Sequence, residues 1–494
     1  MTQSQPSRWR RWAKRAGLAV VVLLAVMVVR TLMLSPAPFD AGQAPALPQV
    51  DPDHTAQLLA RAVRIATVSP DEDHPERTEA MRALHAQLRT DFPRVHQSLS
   101  PEVVDELSLL FHWTGSDPSL EPILLIAHMD VVPVEPGTEG DWTRPPFSGD
   151  IADGVIWGRG TMDDKTGVVG ILSAAEHLLE QGFAPRRTIV IALGHDEEIG
   201  GGGAKALAAL LEQRGESFAY VLDEGGAIVT ETIPGLEHAA ALVGVAEKGY
   251  ASIELSLRAE GGHASMPPPT GAIGRLATAV TRIEAEPMPR EIRGGTQMML
   301  DGIAPYTGFG MRLALANQWL VRPILARVLS SRAASNATVR TTLAPTIFKA
   351  GIAGNVLAAQ ADAVVNARIL SGDTIEDVLT HVRTVIDDPE IEVRCGDDCW
   401  EPSTVSDADA EGFMVVRRVI THVFPDAITV PYLVVGATDA RHYAAVARDA
   451  YRFLPIRMQG ADRKRMHGTN EQMTVDNFAD AVRFYMAVMA LGAG

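Results

Sequence analysis

The sequence predicts an α/β protein: a mostly parallel sheet with helices on both faces, interrupted by an inserted α+β sandwich and preceded by a transmembrane helix. Three observations predict it. Between residues 54 and 247, short and nearly continuous apolar runs alternate with longer helical stretches, as when helices bury a sheet on both sides. Near Tyr250 the apolar pattern changes to period two, which marks half-exposed antiparallel strands. An uncharged run from Gly17 to Val29 follows a basic N-terminus.

The chain has 494 residues, 46% apolar and 21% charged, a globular composition long enough for two or three domains. A net charge of −17 without a basic tract in the body argues against nucleic-acid binding, because phosphate repels such a surface. Arg8, Arg10, Arg11, Lys14 and Arg15 make residues 1–16 a basic arm, expected to stay cytoplasmic. Residues 17–34 read as a signal anchor broken only by Arg30. At about 1.5 Å per residue, some 18 residues reach roughly 27 Å, close to a bilayer core of about 30 Å. The body would then lie on the extracytoplasmic side, periplasmic or lumenal. A cleaved signal peptide and a secreted body compete with that reading, because the uninterrupted apolar core is short. Residues 35–53, rich in Pro and Ala, read as a tether.

Residues 54–247 form the first part of the α/β domain, with strands in ILLIAH, RTIVIALGHDEE and FAYVLDEGG. The stretches GVVGILSAAEHLLEQG and AKALAALLEQRG between them are helical in pattern. Residues 248–401 form the inserted sandwich, with strands ASIELSLRAE, ADAVVNARIL and EIEVRC beside two helices. Residues 402–494 return to the first domain through FMVVRRVITHVF, AITVPYLVV and a terminal helix, DNFADAVRFYMAVMA. Cys395 and Cys399 either bridge in an oxidising compartment or stay free; their spacing leaves both open.

Acidic and imidazole groups cluster at the predicted strand ends, where ligand sites of such sheets lie. His128 closes ILLIAH, and Asp130, two residues on along an extended chain, is placed to orient its ring. Asp163 sits in the Gly-rich turn GRGTMDDKTG, Glu197 and Glu198 end RTIVIALGHDEE, Asp223 ends FAYVLDEGG, and His467 lies in MHGTNE. A single His or Asp of this kind is usually a structural residue or a helix cap. Several carboxylates at neighbouring strand ends repel unless a cation lies among them. Asp163, Glu198 and Asp223 balance two divalent ions that share one hydroxide. Imidazole with carboxylate and no thiolate suits Zn²⁺, with Mn²⁺ or Co²⁺ as alternatives. No Gly-x-Ser-x-Gly elbow, P-loop or His-Glu-x-x-His occurs, which removes the serine hydrolase, P-loop NTPase and zincin readings.

The strings AHMDVVPV, GRGTMDDKTG, GHDEEIGG, VLDEGG, GGHAS and MHGTNE, in this order, resemble the co-catalytic dizinc exopeptidase and aminoacylase family, metallopeptidase family 20. The similarity is greatest to its carboxypeptidase S branch, which includes secreted N-fatty-acyl-amino-acid hydrolases. The resemblance implies that His128 and Asp223 hold one zinc, Glu198 and His467 the other, and that Asp163 bridges them. It implies Glu197 as general base and Asp130 as the group that orients His128. The inserted domain would be a lid, with His263 polarising the scissile carbonyl of its own or a neighbouring subunit's site, and with a homodimer formed through the lid. Asn355, Arg368 and Arg441 would hold the substrate's carboxylate, for which the forked guanidinium is suited. Ala437 departs from the family pattern, which usually has a second Gly there. The implied reaction is hydrolysis of the amide bond to a C-terminal amino acid, in a peptide or an N-acyl amino acid. A metal-retaining binding module without catalysis is the alternative, and the presence of Glu197 weighs against it.

Residues 287–345 are apolar and Met-rich, with Met298, Met299, Leu300, Phe309, Met311, Trp319 and Leu320. Such a segment either accepts flexible acyl chains or packs as lid core or subunit contact.

Overall fold

Alternation along one strand shows how the main sheet is held. In the computed structural model, which describes residues 8–69, 75–230, 233 and 235–494, strand Ile123–His128 is buried along its whole length. Ile123, Leu125 and Ala127 enter one apolar core, whereas Leu124 and Ile126 enter another on the opposite face. The first core is closed by helices Pro52–Val63, Lys165–Glu180, Glu411–Val423 and Val475–Ala493. Helix Gly202–Gln213 and the 3₁₀ turn Asp439–Ala445 cover the second. A strand buried on both faces cannot alternate apolar with polar residues, which is why ILLIAH and its neighbour IVIALG (Ile189–Gly194) are apolar throughout.

The sheet has ten strands among the described residues. Strand Ile123–His128 lies parallel between Ile189–Gly194 and Tyr220–Asp223, with Ile123 opposite both Ile189 and Tyr220. Ala450–Arg452 extends this parallel block beyond Tyr220–Asp223. The flanks differ from the expectation of a mostly parallel sheet. Ser108–Trp113 pairs antiparallel with Ile189–Gly194, and Ala239–Glu247 antiparallel with Ile228–Val229 and at Arg452. Glu102–Val104 and Ser108–Trp113 form a further antiparallel pair, a hairpin. The sheet is therefore mixed.

Gly249–Arg258, Thr342–Ala350, Gln360–Ile369 and Ile391–Cys395 form a separate antiparallel sheet, all within 248–401. Gly249–Arg258 has strict alternation of buried and partly exposed residues, and the buried set packs beneath helices Ala272–Ala285 and Ile375–Ile386. Cys395 and Cys399 are disulfide-bonded at the end of this unit.

Residues 287–345 hold helices Gly294–Ile303, Phe309–Ala316, Gln318–Leu329 and Ala333–Val339. These pack mainly against the ten-stranded sheet through Val229, Ala240 and Val430, and not within the core of the antiparallel unit. At the N-terminus, helix Arg8–Met33 contains a stretch, Trp12–Met33, long and apolar enough to cross a membrane.

One loop is fixed with unusual economy. Gln472–Thr474 pairs with Val155–Trp157 and so places Glu471 inside the turn at 158–163. Its carboxylate accepts from Arg159 Nη1 at 2.7 Å, Gly160 N at 3.0 Å and Met162 N at 2.8 Å. Gly160 has φ +90°, and a Cβ there would stand 2.8 Å from Val131 Cγ1, so the turn requires glycine. Arg159 and Glu471 are both almost fully buried. Glu471→Ala leaves the guanidinium unpaired in the interior and should cost about 3–5 kcal/mol of stability. A urea unfolding curve of the metal-free protein measures this; an unchanged midpoint would contradict the role assigned to the pair.

Candidate metal centre

The strand ends and the Glu471-clamped turn converge on one point. His128, the last residue of its strand, is buried and sets Nε2 3.0 Å from Asp163 Oδ1. Its Nδ1 lies 3.1 Å from the Asp130 carbonyl and 3.2 Å from Asp130 Oδ1. Asp130 does more than this. It accepts from Ser69 Oγ and from the backbone N–H groups of Glu197 and Glu198, which ties the two glutamates to the same anchor. Ser69 is a partner that no sequence motif marked.

Asp163 meets His467 from the other side, with 2.9 Å between Oδ2 and Nε2, and His467 Nε2 also lies 3.4 Å from Glu198 Oε2. The Asp163–Asp164 peptide bond is cis, and Asp164 caps helix Lys165–Glu180 by accepting from Gly167 N. One ligand atom from each of His128, Asp163 and Glu198 lies within 4.8 Å of the others. Glu198 Oε1 is buried without a hydrogen-bond partner among the described residues. A buried carboxylate oxygen with no donor fits a cation, and imidazole plus carboxylate is a donor set for zinc or a similar divalent ion.

Asp223 ends the neighbouring parallel strand. Its oxygens accept from Glu224 N at 2.8 Å and Ala440 N at 2.7 Å, and it stands outside the tight His128–Asp163–Glu198 group. Burial pushes its carboxyl up to about 6. Burial also pushes Glu197 well above the usual carboxylate range; His128 opposes this, and Asp439 and Glu198 add to it. For His128, burial disfavours the charge, but hydrogen bonds to Asp130 and Asp163 outweigh it and hold the imidazole well above its ordinary value. Hydrogen bonds to Asp163 and Glu198 raise His467 to about 10. Asp163 is buried too, yet its two imidazole partners hold it below the usual range. Both imidazoles thus pair with the Asp163 carboxylate.

Arg441 is brought to this site. Its Nη1 lies 4.0 Å from Glu197 Oε1, and its side chain is fixed by the carbonyls of Thr438 and Gly200. The guanidinium stacks on Trp400, Trp400 on Tyr250, and Tyr250 on the guanidinium of Arg368. This four-layer column joins Arg368 of the antiparallel sheet to Arg441 of the main domain. Tyr250 and Trp400 escaped sequence reasoning because an aromatic at a strand start is an ordinary core residue. Trp400 and Arg441 also line a cavity of about 610 Å³, to which residues 287–345 contribute nothing.

His263 and Asn355 lie elsewhere. His263 is exposed on a two-residue strand paired with Val356, and Asn355 O accepts from Ala264 N beside it. His263 Nδ1 accepts from Ser265 Oγ at 2.7 Å. The cavity it borders contains none of the carboxylate–imidazole group.

Comparison with known proteins gives this geometry a setting. The pattern described as Peptidase family M20/M25/M40 matches residues 124–491. "Probable carboxypeptidase S-like 2" of Dictyostelium discoideum is 37% identical, over 98% of this chain and 96% of its own. "N-fatty-acyl-amino acid synthase/hydrolase PM20D1.1" of Danio rerio is 39% identical, over 96% of this chain and 93% of its own. Among solved structures, an M20 family metallo-carboxypeptidase of Sulfolobus solfataricus superposes with a TM-score of 0.65 at 17% identity, covering 88% of this chain and 98% of its own. That likeness concerns the fold.

A metal ion bound through His128 and His467 would displace a proton from each, and one bound through Asp223 a further proton below about pH 6. Apparent zinc affinity should therefore rise with pH across the neutral range, with proton release. Calorimetric titration of metal-free protein in buffers of different ionisation enthalpy reads both. Binding without proton release would contradict the assignment of His467.

Proposed function

The chain belongs to peptidase family M20/M25/M40, and from that membership we propose that it hydrolyses the amide bond to a C-terminal amino acid, in peptides or N-acyl amino acids, with two divalent metal ions. The observation that carries the proposal is the orphaned Glu198 carboxylate oxygen beside His128, Asp163 and His467. His128, Asp163 and Asp223 would hold one ion, and Asp163, Glu198 and His467 the other; the imidazole–carboxylate donor set suits Zn²⁺. When bound, such a pair lowers the pKa of a shared water and polarises the scissile carbonyl.

The chain's own groups supply the remainder. Glu197, its carboxyl raised by burial, removes the proton of the attacking water and delivers it to the leaving amine. Asp130 keeps His128 in one orientation and holds the backbone of Glu197 and Glu198 in register with it. Arg441, fixed by two carbonyls and stacked on Trp400, presents its fork to the carboxylate of the departing amino acid. Arg368 supports it through the aromatic column. His263 and Asn355, on their exposed hairpin, would reach the substrate carbonyl and carboxylate by movement of the antiparallel unit or from a second copy of the chain. The apolar N-terminal helix would anchor the enzyme with its body outside the cytoplasm.

Both named relatives favour this substrate class, the first by carboxypeptidase and the second by N-acyl-amino-acid chemistry. Assay of the purified enzyme on dipeptides and on N-acyl amino acids of increasing chain length separates the two. Glu197→Gln preserves shape and removes the base, so turnover should fall at least 10²–10⁴-fold, roughly, with both metals still bound. Metal analysis beside the rate makes the test: near-native turnover would remove Glu197 as base, and lost metal would make it a ligand.

A further inference from the structure

We infer that the outward face of helices Phe309–Ala316 and Gln318–Leu329 is a membrane-seating surface, resting in the leaflet of a phospholipid bilayer next to the N-terminal helix. The inference rests on the proposed anchor and adds a second, non-spanning contact to it.

Apolar exposure is the first observation. Phe309, Met311, Trp319, Leu320, Ile324 and Val328 are between 38% and 65% exposed, although all are large and apolar. On the second helix, Leu320, Ile324 and Val328 follow one another at i, i+4 and i+8 and so form one stripe. The opposite side of the same helix is spent on packing: Gln318, Leu325 and Ala326 are buried, the latter two against the main sheet's core. A soluble surface rarely leaves a contiguous stripe of this kind uncovered.

Charge is the second. No Asp or Glu occurs between Asp301 and Asp362, in a chain whose net charge is −17, while Arg312, Arg322, Arg327 and Arg332 fall in the same helical segment. Arg327 and Arg332 are exposed beside the apolar stripe. An apolar face edged by arginines, with Trp near one end, matches a helix lying in the plane of a lipid interface, where phosphates meet the guanidinium groups. A second copy of this acidic chain would also attract the arginines but has no evident need for the Trp and the aliphatic stripe.

Continuity with the anchor is the third. Arg30 Nε donates to Ala316 O at 3.2 Å, and Asn317 Nδ2 donates to Met27 O at 3.2 Å. The junction of the two helices is therefore joined to the N-terminal helix at Met27–Thr31, inside the stretch Trp12–Met33. At about 1.5 Å per residue, Met27 lies about 9 Å below the end of that stretch, so helices joined to it sit at the depth of headgroups and upper acyl chains. A surface at that depth meets lipid.

The test uses the full chain in lipid nanodiscs, with an environment-sensitive fluorophore on Ile324→Cys. Both native cysteines are bridged and leave the label site-specific. Val22→Cys reports the anchor separately, and Glu212→Cys, exposed on helix Gly202–Gln213, is the aqueous control. The expected result is blue-shifted emission at position 324 that loses about half its intensity to shallow doxyl-labelled lipid, with no change at 212. Val22 lies about 16 Å below the end of the stretch, near the bilayer midplane, so it is read with lipid labelled deep in the acyl chain. Deep quenching at 22 without shallow quenching at 324 overturns the seating surface and keeps the anchor. Shallow quenching at 324 without deep quenching at 22 supports the surface and removes the anchor. A blue shift at 324 that lipid does not quench means contact with another protein surface and also overturns the inference.

Discussion

Negative charge buried at the strand ends is the constraint around which this structure is arranged. Asp163, Glu197, Glu198, Asp223, Glu224 and Asp439 act on one another electrostatically, and burial drives Glu197, Glu224 and Asp439 well above the usual carboxylate range. An unpaired buried carboxylate costs several kcal/mol, so such a cluster persists only with compensating positive charge. In the metal-free chain two imidazoles provide it, held on Asp163 from opposite sides. Metal ions would replace those protons, and the site is built to make that exchange: the donor atoms are fixed in advance by Asp130, by the Glu471-clamped turn and by the sheet itself.

A second layer of organisation connects the two sheets. Strand Gly249–Arg258 begins two residues after Glu247, whose carboxylate pairs with the buried Arg452 and accepts from Thr438 N. Tyr250 at the start of that strand carries the column that reaches Arg441. Movement of the antiparallel unit would therefore be felt at the guanidinium beside Glu197. The column links the antiparallel unit to the main domain through stacked planar groups.

Much of this was legible in the sequence, for identifiable reasons. A strand buried on both faces leaves an apolar run that ends abruptly, so ILLIAH and RTIVIALG located His128 and Glu197–Glu198 at their correct ends. Period two announced Gly249–Arg258, and its burial pattern follows that alternation residue by residue. Strands outside the parallel block were less visible. Ser108–Trp113 is buried at five of six positions, and its apolar run resembles any other core segment; its antiparallel pairing depends on a hairpin whose turn lacks Gly, Asn or Pro. The destination of residues 287–345 was hidden as well, because amphipathic helices do not specify which sheet they cover. Nor could spacing decide the state of Cys395 and Cys399, which proximity in the fold allows to bridge. Long-range partners such as Ser69 for Asp130 and Glu471 for Arg159 are pairings of common residues over distances no local pattern encodes.

The central claim is that two divalent ions share Asp163. Diffraction at the zinc absorption edge, from crystals of the protein grown with zinc, tests it most directly. The account predicts two anomalous peaks about 3.5–4 Å apart on either side of the Asp163 carboxylate, one nearer His128 and Asp223 and the other nearer Glu198 and His467. A single peak, or two peaks that leave Asp163 bound to neither, would contradict it.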